Sequence, residues 1–263
     1  MSDLSQRDVF VEHCIQREYL SRDAAQRCGN ADAILPNIKH LMAYARWANV
    51  PVLTCIDAKS PATDVADRSS NGNGIRNGNG SGGGNGHTNG NGTSNRRNGN
   101  GRAAHNGNGN GFAARGGMPL RARVPGYTLM PGYELIESDN RLCISLDVLS
   151  DHHQAVFTKD HHDPFTNPKF DRLLTEMPAG RFVVFGMLLD FSLRLLVLGL
   201  IRRNRRVAIV EDACGFANEQ QAGMVLRQLS VKGVELVQAR ELVRAAMDAR
   251  RPKRGKPRRN RAN

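Results

Sequence analysis

The chain has no apolar run of the roughly 20 residues that a helix needs to cross a bilayer. Its longest apolar helical stretch, Phe191–Ile201, is short and is followed by Arg202 and Arg203. It also lacks any CxxC pair. Five cysteines (Cys14, Cys28, Cys55, Cys143 and Cys214) are scattered and odd in number, which excludes a disulfide framework and a zinc knuckle. The first ten residues carry acids and no long apolar run, so no signal peptide is expected. A soluble, reducing, cytoplasmic setting is the expectation, with no membrane partner.

Acidic residues are missing from two further stretches. Ser69–Gly117 has five arginines and no acid, and Arg250–Asn263 has eight basic residues and no acid. Together they exceed the whole formal charge of +12 and leave the remainder at −1. The basic character therefore belongs to two segments and implies no basic patch on the fold. Ser69–Gly117 is mostly Gly and Asn and cannot bury enough apolar surface to offset its ordering entropy. It reads as a disordered, low-complexity insertion, and 250–263 as a disordered basic tail. Removing both leaves about 200 residues, the size of one α/β domain, 1–249, interrupted at 69–117.

Within that domain, short apolar strands alternate with helical periodicity. Val9–Val11 lies in an apolar run. Ala31–Asn49 repeats apolar residues at helical spacing, with Asp32 in its N-cap region and Pro51 ending it. Val52–Ile56 reads as a buried strand stopping at Asp57, and Gln154–Thr158 as one stopping at Lys159. Gly126–Glu137 reads as a Pro/Gly-punctuated loop. Phe170–Leu174 begins a helix. Phe182–Phe185 is a strand, followed by a Gly186 turn and a helix, Phe191–Asn204. Arg205–Val210 is a strand, Ala222–Leu229 a helix and Val234–Val237 a last strand. Such alternation predicts a three-layer α/β/α fold with a mainly parallel, Rossmann-like sheet. Ligands then bind beyond the carboxyl ends of the strands. Cys14, Asp57, Lys159 and the turn from Gly186 to Ser192 should converge there.

The segments LPNIKHLMAYARWANVPVLTCID, TKDHHDPFTNPKFDRLL, FVVFGMLLDFSLR and VAIVEDACG, in this order and spacing, resemble the isochorismatase-like family of cysteine hydrolases, which includes nicotinamidases. The resemblance implies a catalytic Asp at the end of the first strand, a Lys, and a nucleophilic Cys at a helix N-terminus. Lys159 matches the Lys, Ser192 stands at the Cys position, and alignment on Gln16 puts Cys14 at the Asp position. Glu12, two residues earlier on the same strand face, is a candidate substitute base. The resemblance also implies substrate-binding positions at Asp57, Phe165, Met187 and Leu188, a cis peptide between Met187 and Leu188, and oligomers.

A serine hydroxyl is far less acidic than a thiol and needs a base, whereas Cys14 is a poor one. The expectation is therefore a catalytically degenerate hydrolase-family protein that keeps a pocket for a small molecule. An alternative is an active hydrolase of a small amide or vinyl ether, with Ser192 assisted by Lys159. A third reading is a nucleic-acid or other polyanion partner held through 250–263.

No cofactor is expected. Relatives with a metal carry histidines after the second strand, where this chain has Ala58-Lys59-Ser60-Pro61. The pairs His152-His153 and His161-His162 read as polar flanks of one strand. Asp190 reads as a helix cap, Tyr44 and Trp47 as packing or surface residues of one helix, and Cys214 as a small core residue.

Overall fold

The computed structural model describes residues 7–58, 120–136 and 144–250. The Gly/Asn-rich insertion, residues 251–263 and Cys143 lie outside the described residues. The elements run β1 (Asp8–His13), α1 (Arg17–Leu20), α2 (Ala31–Ala48), β2 (Val52–Asp57), α3 (Leu120–Arg123), β3 (Glu134–Ile136), α4 (Val148–Asp151) and β4 (Gln154–Lys159). They continue with a 3-10 turn (Pro164–Thr166), α5 (Pro168–Glu176), β5 (Arg181–Gly186), α6 (Ser192–Arg202), β6 (Val207–Cys214), α7 (Glu219–Val231), β7 (Glu235–Val237) and α8 (Ala239–Arg250).

All seven strands form one parallel sheet in the order β3-β4-β2-β1-β5-β6-β7. The predicted three-layer α/β architecture is present. Alternation along each central strand splits its apolar residues between two cores. Val9, Val11, Phe157, Phe182 and Val184 pack under α5, α6 and α7. Phe10, Val52, Val183 and Phe185 pack under α2 and α8. Both faces are covered, which is why these strands read as nearly continuous apolar runs.

Local physics explains the element ends. The helix α2 stops where Asn49 takes a left-handed conformation (φ 52°), ahead of Pro51. Asp32 does not cap its start: the cap residue is Asn30, without a side-chain bond, and Asp32 pairs with Arg27 at 2.8 Å. α5 starts at Pro168, with Asn167 accepting from the amides of Lys169 and Phe170.

Two elements escape the sequence reading. Three-residue β3 falls inside the expected loop Gly126–Glu137, because a short edge strand leaves almost no alternation to detect. The amphipathic α8 went unassigned, although Leu242 and Val243 bury one face. α6 is also less enclosed than its apolar composition implies, since Phe191 and Leu195 stay substantially exposed.

Candidate active site

Parallel pairing brings three strand ends together. His13 lies opposite Cys55 across β1 and β2, and Asp57 lies opposite Lys159 across β2 and β4. Residues in register on neighbouring strands project to the same face. The Lys159 ammonium accordingly donates to Asp57 Oδ1, and also to the carbonyl of His161 at 3.2 Å. The second carboxylate oxygen of Asp57 accepts from the Tyr19 hydroxyl at 2.8 Å.

Two side chains hold the end of β2 in place. The Gln16 amide accepts from Asp57 N–H at 2.8 Å and donates to its carbonyl at 3.3 Å. Arg123 donates to the carbonyls of Asp57 (2.9 Å) and Ala58 (2.6 Å), and lies 3.3 Å from Glu18.

Cys14 follows β1 in a left-handed backbone conformation (φ 51°), its N–H on Cys55 O at 2.7 Å. Its Sγ lies 3.7 Å from His13 Nε2. The other ring nitrogen, His13 Nδ1, faces the carbonyl of Met187. A carbonyl only accepts, so Nδ1 carries the proton and Nε2 is left to accept from the thiol.

The turn after β5 supplies the far wall. Gly186 has φ 125°, and a Cβ there would overlap the main-chain oxygen of His13. Only glycine allows β5 to approach β1 so closely at this point. The Met187–Leu188 peptide is cis, as the resemblance implied. Ser192 opens α6; its Oγ donates to Met187 O at 3.5 Å and accepts from Leu188 N–H at 3.4 Å. Among the described residues, both hydrogen-bond partners of this hydroxyl are main-chain groups.

Electrostatics follow from burial. Lys159 and Cys14 are 1% exposed, His13 0% and Ser192 5%. Burial disfavours the Lys159 charge, but the Asp57 carboxylate in contact with it outweighs that and raises its pKa. Burial likewise opposes ionisation of Asp57, and Lys159 with the Tyr19 hydroxyl overcomes it, holding the carboxyl below its ordinary range. Burial pushes the Cys14 thiol well up, against the pull of Lys159. Burial and then the Lys159 charge depress the His13 imidazole to about 3. At neutral pH the site holds a charged Lys–Asp pair beside a neutral thiol and a neutral imidazole.

The remaining predicted residues are distributed as follows. Glu12 is not in this cluster. It sits on the α2 face, fully buried, accepting from Thr54 Oγ1 at 2.9 Å, next to the Gln154 amide that bonds Thr54 and the Thr128 carbonyl. Alternation along β1 separates it from His13. The Phe165 ring packs on Gly199, where a Cβ would overlap it, and under the Arg203 guanidinium at 3.9 Å. That is two helical turns from Ser192. The Met187 side chain is buried among Cys28, Ile34 and Gly215, and contributes its carbonyl to the site instead. Leu188 is partly buried against the α2-side core.

Asp190 does not cap α6, whose cap residue Phe191 has no side-chain bond. It accepts from the amides of Ala217 and Asn218 instead, tying down the loop after β6. Cys214 is buried and donates to Val210 O at 3.2 Å. The two histidine pairs sit at opposite ends of β4, where His152 bonds Gly132 O at 3.0 Å. Among the described residues, no group of three or more His, Cys, Asp or Glu is arranged to hold a metal.

Sequence reasoning missed His13, Tyr19 and Arg123. His13 had one detectable signal, a polar residue inside an apolar strand next to Cys14. Tyr19 and Arg123 had none, because their roles depend on where β2 ends.

The chain is a three-layer α/β protein with a polar cluster at its strand ends, bordered by a cis peptide and a helix N-terminus. The family description for the isochorismatase domain matches residues 128–241. Over those residues the chain is similar to the isochorismatase-like family of cysteine hydrolases and nicotinamidases, through distant relatives only.

Three solved structures illustrate the likeness in fold. An isochorismatase-like hydrolase from Alkaliphilus metalliredigens is 11% identical with a TM-score of 0.56, covering 91% of this chain and 99% of that one. A cysteine hydrolase from Pseudomonas syringae pv. phaseolicola is 13% identical with a TM-score of 0.58, covering 93% and 94%. A pyrazinamidase/nicotinamidase from Streptococcus mutans is 12% identical with a TM-score of 0.50, covering 88% and 99%. Comparison with curated proteins finds no match. Among the described residues, no helix is long and apolar enough to cross a membrane.

Proposed function

We propose that this chain is a catalytically silent member of its family, a hydrolase scaffold used for binding. The observation that carries this reading is the Lys159–Asp57 ion pair. A lysine serves as general base only when neutral, and here its carboxylate partner keeps it charged. Ser192 then has the helix N-terminus of a nucleophile but, among the described residues, no hydrogen-bonded side-chain base to take its proton. The thiol has not disappeared from the cluster; it stands at Cys14, but burial keeps it protonated. The charged pair, Cys14 and Ser192 still mark the strand-end position where a small molecule would bind. Phe191 and Leu195, open on one side of α6, are where a second copy of the chain would cover the scaffold.

The decisive experiment measures turnover of a panel of small amides and isochorismate by wild type and Ser192→Ala. Equal background rates are expected. A wild-type activity that Ser192→Ala abolishes overturns the silent reading. It would favour the second one, hydrolysis by Ser192 with Lys159, for which the Leu188 N–H aimed at Ser192 Oγ is the supporting contact. Activity gained by combining Ser192→Cys with Cys14→Asp would mark the pocket as intact.

A further inference from the structure

Another open face of the molecule lies between α2 and α8. A groove of about 700 Å³ runs between these helices. Trp47 stands in it 64% exposed, and it is the only tryptophan of the chain. Met247 lies beside it, also exposed. Arg240, Arg244 and Arg250 line the groove against one carboxylate, Asp248, which is 4.0 Å from Arg244. The Arg250 guanidinium carbon is 5.9 Å from the indole ring, held there by a 2.8 Å bond to Ala48 O. The result is a solvent-facing aromatic plane rimmed by guanidinium groups.

We propose that the α2–α8 groove binds single-stranded nucleic acid, with a base stacked on Trp47 and phosphates paired with Arg240 and Arg244. Exposed indole next to arginine is the combination that unpaired nucleotides need: a π-face for the base and a charge for the backbone. Charge excludes the simplest competitors. The chain's own segment 251–263 carries seven Lys and Arg and no acid, so the groove's excess arginines repel it. A second copy docked groove to groove would oppose arginine to arginine. A duplex keeps its bases stacked and offers none to Trp47. This inference does not depend on whether the strand-end site is silent.

The lone tryptophan is its own probe. The full chain is titrated with a 12-nucleotide oligouridylate at low salt, following Trp47 emission and, with a labelled oligonucleotide, anisotropy. Binding is expected to quench Trp47. Trp47→Ala is expected to weaken affinity about tenfold. Replacing Arg240 and Arg244 by Ala together is expected to weaken it similarly and to flatten the salt dependence by about 1.4 log units per log unit of salt, two phosphate contacts' worth. Unchanged melting of both variants guards against unfolding. Saturable binding that leaves Trp47 emission unchanged overturns the proposal and assigns binding to the basic segment. So does an absence of binding, equal quenching by heparin, which has no bases, or an acidic peptide that matches the oligonucleotide in affinity.

Discussion

The strand-end cluster and the α2–α8 groove use the same residue types in opposite ways. In the cluster, Lys159 is 1% exposed and locked to Asp57. In the groove, Arg240 and Arg244 are exposed, and the aromatic between the helices faces solvent. A buried charge must be paired, because an unpaired one costs several kcal/mol, and pairing removes its freedom to act on anything else. An exposed charge contributes little to stability and stays free for a partner. Family position alone would look for function in the first region, whereas the physical availability of groups points to the second.

Substitutions sharpen this contrast. The largest effect is expected at Lys159. Lys159→Met strands Asp57 in a mostly buried site and should cost about 3–5 kcal/mol in urea unfolding. Adding Asp57→Leu to Lys159→Met should restore part of the loss, since the orphaned charge goes with it. If Lys159→Met is neutral, the pair is not a structural lock and the silent reading loses its basis.

Gly199→Ala comes next. Its methyl must displace the Phe165 ring, so a destabilisation of about 1–3 kcal/mol is expected. Trp47→Ala and Arg244→Ala, by contrast, should change stability by under about 0.5 kcal/mol each, whatever they do to binding.

The pH dependence of stability divides the molecule in another way. Burial raises the Glu12 carboxyl from 4.5 to about 8, with Thr54 and Thr128 offsetting part of the shift. Between those values the folded chain holds a proton that the unfolded chain has lost, so Glu12 makes stability fall as pH rises. Burial depresses His13 from 6.5 to about 3. Between those values the unfolded chain binds the extra proton, so His13 makes stability rise with pH. The two oppose each other from about pH 4.5 to 6.5, and Glu12 acts without that opposition from about 6.5 to 8. Unfolding free energy should decline through that upper window by up to about 1.4 kcal/mol per pH unit. Glu12→Gln should flatten the decline, and His13→Gln should leave it in place. A decline that persists in Glu12→Gln removes Glu12 as its source.

The smallest expected effect is chemical. Cys14 should react with iodoacetamide in the native protein no faster than Cys28, because burial raises the pKa of both. Selective labelling of Cys14, located by peptide mass mapping, would identify it as an activated thiol and reopen the question of catalysis.

Much of this molecule was legible in the chain itself. Strands recurred where apolar runs met Asp57, Lys159 and Gly186, because central parallel strands are buried on both faces. The residues that follow β1 and open α6, Cys14 and Ser192, could be read directly, and so could the cis peptide before Leu188 through the resemblance. What the pattern misassigned was partnership. Glu12 looked like a substitute base because it lies two residues before Cys14 on one strand face, yet Cys14 turns off the strand in a left-handed conformation while Glu12 stays buried against Thr54. Asp57 looked like a substrate contact, yet it is the carboxylate that holds Lys159. Asp190 looked like a cap, yet it secures the loop at Ala217 and Asn218.

The sequence by itself determined the alternation of strand and helix, and which atoms were available at the ends of the strands. The tertiary structure decided which of them meet. Asp57 and Lys159 are 102 residues apart along the chain and became neighbours only when β2 and β4 paired in parallel register. Hydrophobic periodicity specifies the face a residue occupies, but the strand beside it depends on the order in which the sheet assembles. That order paired Lys159 with Asp57 in the interior and left Trp47 and its arginines in the open.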